Sequence, residues 1–242
     1  MEIQDTEQPQ KAKRQRKVQI PLNIAYHDEP SSIIEVGIDE AGRGPMFGAV
    51  YAAAVVLPKV GFDHHNMKDS KKFSSKKKLY NTADYIKEHC IAYSVQYEDE
   101  KTIDKINIRQ ATLKCMHRCI QDIMKQMHEK RENNDMFLLV DGNDFKPYYT
   151  LIGDEIETIP HICIEGGDNK YTSIAAASIL AKTFRDKYIE NLCESHPDLQ
   201  DKYSILTNKG YGAAKHLDGI RNHGITQWHR KTFGICRNHL DL

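Results

Sequence analysis

The chain has 242 residues, with 34 basic and 34 acidic side chains, 40% hydrophobic residues and 28% charged ones. That composition belongs to an ordinary globular chain, and its longest apolar run, the nine residues Ala49–Leu57, falls far short of the ~20 that a membrane helix needs. No apolar signal core occupies the first twenty residues, so the six scattered cysteines (Cys90, Cys115, Cys119, Cys163, Cys193 and Cys236) read as reduced thiols rather than a disulfide scaffold.

In chain order, residues 1–32 read as a basic, disordered tail. They carry Lys11-Ala-Lys13-Arg14-Gln-Arg16-Lys17 with little apolar content and no period. A solvated terminus and a polybasic arm or nuclear address both remain open for it; the expected location is otherwise cytoplasmic. Residues 33–242 read as one domain. Ile33–Asp39 and Gly48–Leu57 are apolar and β-branched and flank a Gly-Arg-Gly-Pro turn, which predicts a strand pair. Ser74-Ser75 precede helical spacing over Lys76–Cys90 (Leu79, Ala83, Ile86). Ile91–Tyr97 alternates as a third strand. Asn107 can cap a helix running to about Lys130, and Met136–Val140 and Ile159–Ile164 complete the strands. Everything after Tyr171 reads as helix in about three pieces. The order β-β-α-β-α-β-β followed by helices predicts an α/β protein, a mixed sheet with helices packed on it.

Zero net charge hides a segregation. Ser94–Gly166 holds fourteen acids against nine bases, whereas Lys170–His239 holds eleven bases against six acids. Lys68–Lys78 adds six lysines against one aspartate. Such a surface can hold a polyanion locally.

Acids recur where strands end. Asp39-Glu40 follow the first strand, Asp141 follows Phe137–Val140, and Asp168 follows Ile159–Ile164 after a Gly-Gly break. Open sheets carry their sites at strand ends. Carboxylates gathered there repel unless a hard divalent cation neutralises them. Each acid taken alone also suits a turn or a cap. Four of them, all flanked by glycine, favour a site. Adjacent strand residues point to opposite faces, so Asp39 and Glu40 are expected to share that site through a turn of the chain. Other motifs fail. Gly42-Arg43-Gly44-Pro45 lacks the Lys-Ser/Thr of a phosphate loop, and Phe47 spoils a dinucleotide fingerprint. His117 between Cys115 and Cys119 would point away from a shared metal, leaving two core thiols. Trp228 reads as a core anchor and His216 and His223 as structural or surface residues.

Gly37-Ile-Asp39-Glu40-Ala-Gly42-Arg43-Gly44-Pro45 resembles the signature opening of the type 2 ribonuclease H (ribonuclease HII) family. Asp69-Ser-Lys-Lys72, Val140-Asp141-Gly142, Gly167-Asp168, Ser173–Lys182, Gly210-Tyr211-Gly212 and His229-Arg230 follow in family order. The resemblance implies a five-stranded mixed ribonuclease H sheet flanked by helices, with a helical C-terminal portion. It implies an endonuclease that hydrolyses the RNA strand of RNA/DNA hybrids and cuts 5′ of single ribonucleotides in duplex DNA, leaving 3′-hydroxyl and 5′-phosphate. It assigns Asp39, Glu40, Asp141 and Asp168 as catalytic ligands of two Mg²⁺ or Mn²⁺ ions. Gly42, Arg43 and Gly44 would contact the ribonucleotide, Tyr211 its sugar, and Lys71 and Lys72 the phosphates. Arg43 and the short tail speak against the related type HIII branch, which has Gly-Thr-Gly. The expected partners are RNA/DNA hybrids and ribonucleotide-containing duplexes, with no membrane, for a monomer. A resolvase-like nuclease on the same sheet and a non-catalytic nucleic-acid-binding module are the alternatives.

Overall fold

The computed structural model describes residues 21–27, 32–129, 135–152 and 155–239. Its strands are β1 (Ile34–Ala41), β2 (Val50–Val56), β3 (Ala92–Glu98), β4 (Met136–Asp141), β5 (Tyr149–Ile152), β6 (Glu155–Thr158) and β7 (His161–Ile164). Its α-helices are α1 (Lys76–His89), α2 (Glu100–Ile106), α3 (Ile108–Glu129), α4 (Thr172–Ser195), α5 (Asp198–Tyr203), α6 (Ile205–Asn208) and α7 (Ala214–His223). Five strands form one mixed sheet in the order β3-β2-β1-β4-β7, antiparallel from β3 to β1 and parallel from β1 to β7. The expected architecture is observed.

Both faces of the sheet are covered, so the residues of β2 are buried throughout. Val50, Ala52, Ala54 and Val56 join Cys115, Cys119 and Ile123 of α3 in one core. Ala53, Val55 and Leu57 join Ala175, Ala176, Ile179 and Leu180 of α4 in the other. Cys115 and Cys119 are thus buried thiols, as their spacing predicts. A third core gathers Phe47, Ile189, Tyr203, Ile220 and Cys236 under α5–α7, with Trp228 packed against it. On the α4 face of β1 sits Gly37. A Cβ there would overlap the backbone of Ser173 and Ile174, so helix and strand touch backbone to backbone.

The structure departs from the sequence reading at several elements. β1 continues to Ala41, two residues past the expected end at Asp39, and the chain turns at Gly42, within the Gly-Arg-Gly-Pro turn that the sequence predicts. α2 was not expected; Asp99 caps it by accepting from the Thr102 N–H at 2.8 Å. Pro160, which has no N–H for a ladder, delays the seventh strand to His161. The β5–β6 pair, four residues each with β6 exposed throughout, was not expected. The region after Tyr171 holds four α-helices and a final 3₁₀ turn, Gly234–His239, rather than three pieces.

The tail boundary also moves. Residues 21–27 lie against the body. The Asn23 N–H donates to the Lys170 carbonyl at 2.8 Å, and the Tyr26 and His27 N–H groups donate to the Glu35 carboxylate at 2.8 Å each. The Tyr26 ring stacks on Phe137 with centroids 5.5 Å apart. Leu22, Ile24 and Tyr26 supply the apolar alternation that the basic stretch before them obscures. Lys11–Lys17 lies outside the described residues.

Gly37→Ala is expected to lower stability by about 2–3 kcal/mol, the upper part of the range for overpacking. For a chain of this size that is a melting temperature lower by about 4–12 °C, read in a thermal denaturation curve.

Candidate active site

The carboxyl ends of β1 and β4 and the turn after β7 open on a cleft of about 560 Å³. Asp39, Glu40, Asp141 and Asp168 all line it, so the structure brings the four acids picked from the sequence together. Asp39 and Glu40 do so while still within β1. Asp39 lies on the α4 face. Glu40 also lines a second, smaller hollow with Thr112 and Met116 of α3 and with Asp141. The cleft wraps the end of the sheet and reaches both faces there.

Each acid is held by its surroundings. Asp39 Oδ1 accepts the Glu40 N–H at 2.6 Å. Burial, and then the charges of Glu40 and Asp141, push its carboxyl well above the usual range, with the Ser178 hydroxyl opposing. Glu40 is raised by burial; Arg43, whose Nη1 lies 3.5 Å from Oε1, opposes that, and Asp141 adds to it. Asp168 sits in a 3₁₀ turn, Gly167–Asn169, and is raised by burial, Asp69 and Asp141, against a 2.8 Å bond from the Asn169 amide. Asp141 Oδ1 accepts the Gly167 N–H at 2.7 Å. A side chain at Gly167 would press on Ile174 and come within 3.3 Å of that same oxygen, so the glycine permits the contact.

Asp39, Glu40 and Asp168 are raised because they are buried and stand near other carboxylates, a condition that a cation relieves. Among the described residues no three His, Cys, Asp or Glu side chains stand close enough to enclose an ion by themselves. All four donors are nonetheless hard oxygens on one open cleft. Small divalent ions are commonly bound by one or two carboxylates completed by water and substrate phosphate. The donor set suits that class.

The opposite side of the cleft is built from loops. Gly42 has φ +94°, and a side chain there would run into Arg185, so this turn requires glycine twice over. Tyr211 is half exposed, and its ring lies beside Gly44, 3.6 Å from where a Cβ would stand. Lys71 lines the cleft, whereas the Lys72 ammonium bonds the Asn169 side-chain oxygen and lies outside the lining.

The ribonuclease HII family model matches residues 36–236. A ribonuclease HII of Parabacteroides distasonis is 45% identical over 209 residues, 86% of this chain and 94% of its own. The chain belongs to the ribonuclease HII family. It is an enzyme, an endonuclease acting on RNA/DNA hybrids, and the resolvase-like and non-catalytic readings are set aside. Two solved structures share the fold. The ribonuclease H2 of Pyrococcus horikoshii has a TM-score of 0.63 at 19% identity, covering 84% of this chain and 95% of its own. Bst-RNase HIII in complex with Mn²⁺ has a TM-score of 0.62 at 19% identity, covering 88% and 70%. The relative is bacterial, which leaves a nuclear address on the basic stretch without support. No helix among the described residues is long and apolar enough to cross a membrane.

Several cleft residues of this ribonuclease HII chain were given no role by the sequence reading, although Ser70, Ser178 and Lys182 lie in its motifs. Ser178, Lys182 and Arg185 reach the cleft from one face of α4, and their i, i+4, i+7 spacing could have revealed them. Ser70 also lines it and bonds Ser178, hydroxyl to hydroxyl, at 3.1 Å. His216 proves structural: it and His229 are buried and bonded to each other through Nε2 at 3.1 Å. The Thr226 N–H donates to His229 Nδ1 at 2.9 Å, and His216 Nδ1 donates to the Tyr211 carbonyl at 2.8 Å. Those two bonds fix both tautomers: His229 Nε2 carries the proton shared with His216. Burial keeps both rings neutral, His229 lowered to about 3.

Asp39→Asn removes a buried, repelled charge while keeping an acceptor for the Glu40 N–H. In metal-free buffer at neutral pH the variant is expected to melt a few degrees above the parent, about 1 kcal/mol. A melting curve in EDTA that shows equal or lower stability contradicts the electrostatic account.

Proposed function

We propose that this ribonuclease HII cuts 5′ of single ribonucleotides embedded in duplex DNA as well as within longer hybrids, as a monomer, with Asp39, Glu40, Asp141 and Asp168 holding two divalent ions, Mg²⁺ or Mn²⁺. The observation that carries this reading is the convergence of four carboxylates on one wall of a cleft whose other wall is the Gly42–Gly44 loop and Tyr211. The Mn²⁺ bound by the type HIII neighbour supports the class of metal.

Ions bound by these carboxylates would activate the attacking water and stabilise the leaving oxygen. The protein's own groups do the rest. Gly42 and Gly44 let the loop backbone approach the ribose closely. The 2′-hydroxyl is the group that distinguishes a ribonucleotide from its neighbours. Tyr211, exposed beside Gly44, packs on the sugar and keeps the scissile phosphate in line. Lys71 meets phosphate within the cleft, and Lys72 serves at its rim. The products are a 3′-hydroxyl and a 5′-phosphate on the ribonucleotide.

Asp141→Asn is expected to abolish cleavage while duplex binding stays within a few-fold, because most affinity comes from phosphate contacts elsewhere. The asparagine still accepts the Gly167 N–H, so the local fold persists. Near-parental turnover in Mg²⁺ would refute the assignment. Tyr211→Ala is expected to slow single-turnover cleavage at one embedded ribonucleotide at least about tenfold, ~1.4 kcal/mol in the barrier. Its melting temperature should stay near the parent's, since the ring is half exposed.

A further inference from the structure

Arg230 is fully buried, and none of its bonds among the described residues is to a carboxylate. Its guanidinium bonds backbone carbonyls only. Nε donates to Gly48 O at 2.8 Å, Nη1 to Arg43 O at 3.0 Å and Nη2 to Gly42 O at 2.6 Å. The Phe233 ring lies 5.0 Å from the guanidinium carbon. Arg185 repeats the arrangement beside it, donating to the carbonyls of Ala49, Phe47 and Lys209 at 3.1–3.2 Å. Two cations without a bonded anion are expensive to bury. A core hydrophobe would stabilise the fold as well, so the loop they hold is where their use should be sought.

That use follows from peptide geometry. In a trans peptide the C=O of one residue and the N–H of the next point in opposite directions. Arg230 draws the Gly42 and Arg43 carbonyls to one side, below the loop. The N–H groups of Arg43 and Gly44 therefore face the other way, toward the open side on which Gly42, Arg43 and Gly44 line the cleft. No described residue accepts from either N–H. The charge also polarises both peptide units, which strengthens their N–H groups as donors.

We infer that Arg230 is a positioning residue for ribose recognition: its planar fork sets two peptide planes so that the Arg43 and Gly44 amides stand ready for one oxygen acceptor, the 2′-hydroxyl. The inference rests on the proposed contact between this loop and the ribonucleotide. Lysine keeps the charge but is a point donor on a flexible stem and cannot span three carbonyls in one plane.

The test compares the full-length parent and Arg230→Lys on two duplexes of one sequence, with a single ribonucleotide or its deoxy counterpart at one position. Single-turnover cleavage of the first is expected to fall at least thirtyfold at saturating protein, while the Kd for the all-DNA duplex stays within about twofold. A merely structural role would weaken both duplexes alike. Amide NMR of the ¹⁵N-labelled parent provides a readout that needs no variant. The Arg43 and Gly44 signals are expected to shift on adding the ribonucleotide duplex and not the deoxy one. Equal shifts with both duplexes, or full cleavage by a folded Arg230→Lys protein, would overturn the role of Arg230. A parent that does not cut the ribonucleotide duplex would instead overturn the proposed function.

Discussion

The contact of α4 with β1 at Gly37, backbone against backbone, sets the geometry of the whole cleft. Any side chain at that position would hold the helix further from the sheet. At the observed separation, the face of α4 that carries Ser178, Lys182 and Arg185 reaches past the end of β1 to the same cleft as Asp39. The alanines along α4 extend this close approach over β2. Rigid packing of this kind lets a buried carboxylate stay where the fold alone would reject it.

The cleft holds two unsatisfied electrostatic demands. On one wall, buried acids repel one another. Beneath the opposite loop, two guanidiniums bond only carbonyl dipoles. Opposite charges in one small region would ordinarily collapse into ion pairs, and the partial exceptions are instructive. Glu40 leans toward Arg43 at 3.5 Å, and Lys182 is occupied by Asp186 one turn along its own helix. Arg185 and Arg230 are kept from the acids by the intervening backbone of residues 42–49, which takes their hydrogen bonds. The separation leaves the acids available to cations and the loop amides available to substrate.

What could be read in the sequence was local. Asp39, Glu40, Asp141 and Asp168 were visible because each lies at or just beyond the last residues of a strand with glycine nearby, and the five central strands were visible through β-branched runs. The helix over residues 100–106 was hidden by its charge, with only Ile103 buried among its apolar residues. The β5–β6 pair was hidden because it is short and the residues of β6 are all exposed, leaving no inward alternation to read. Residues 21–27 were masked by the basic stretch before them. The roles of Arg185, Arg230 and the His216–His229 pair could not be read, although His229-Arg230 stood out as a family motif. Their partners are backbone carbonyls and rings brought in by tertiary packing, and a carbonyl carries no residue identity for a sequence pattern to register.

The bond from Arg230 to Gly42 spans 188 positions of chain, and this separation governs when the site is completed during synthesis. A ribosome adds about 5–20 residues per second, so the turn at Gly42 waits roughly 10–40 s for the side chain that holds it. The sheet's first hairpin can form from adjacent sequence long before. The element that would tell ribose from deoxyribose is thus among the last to be fixed. A nascent or prematurely ended chain lacking the final dozen or so residues can therefore have all four acids and still lack the clamp beneath the loop.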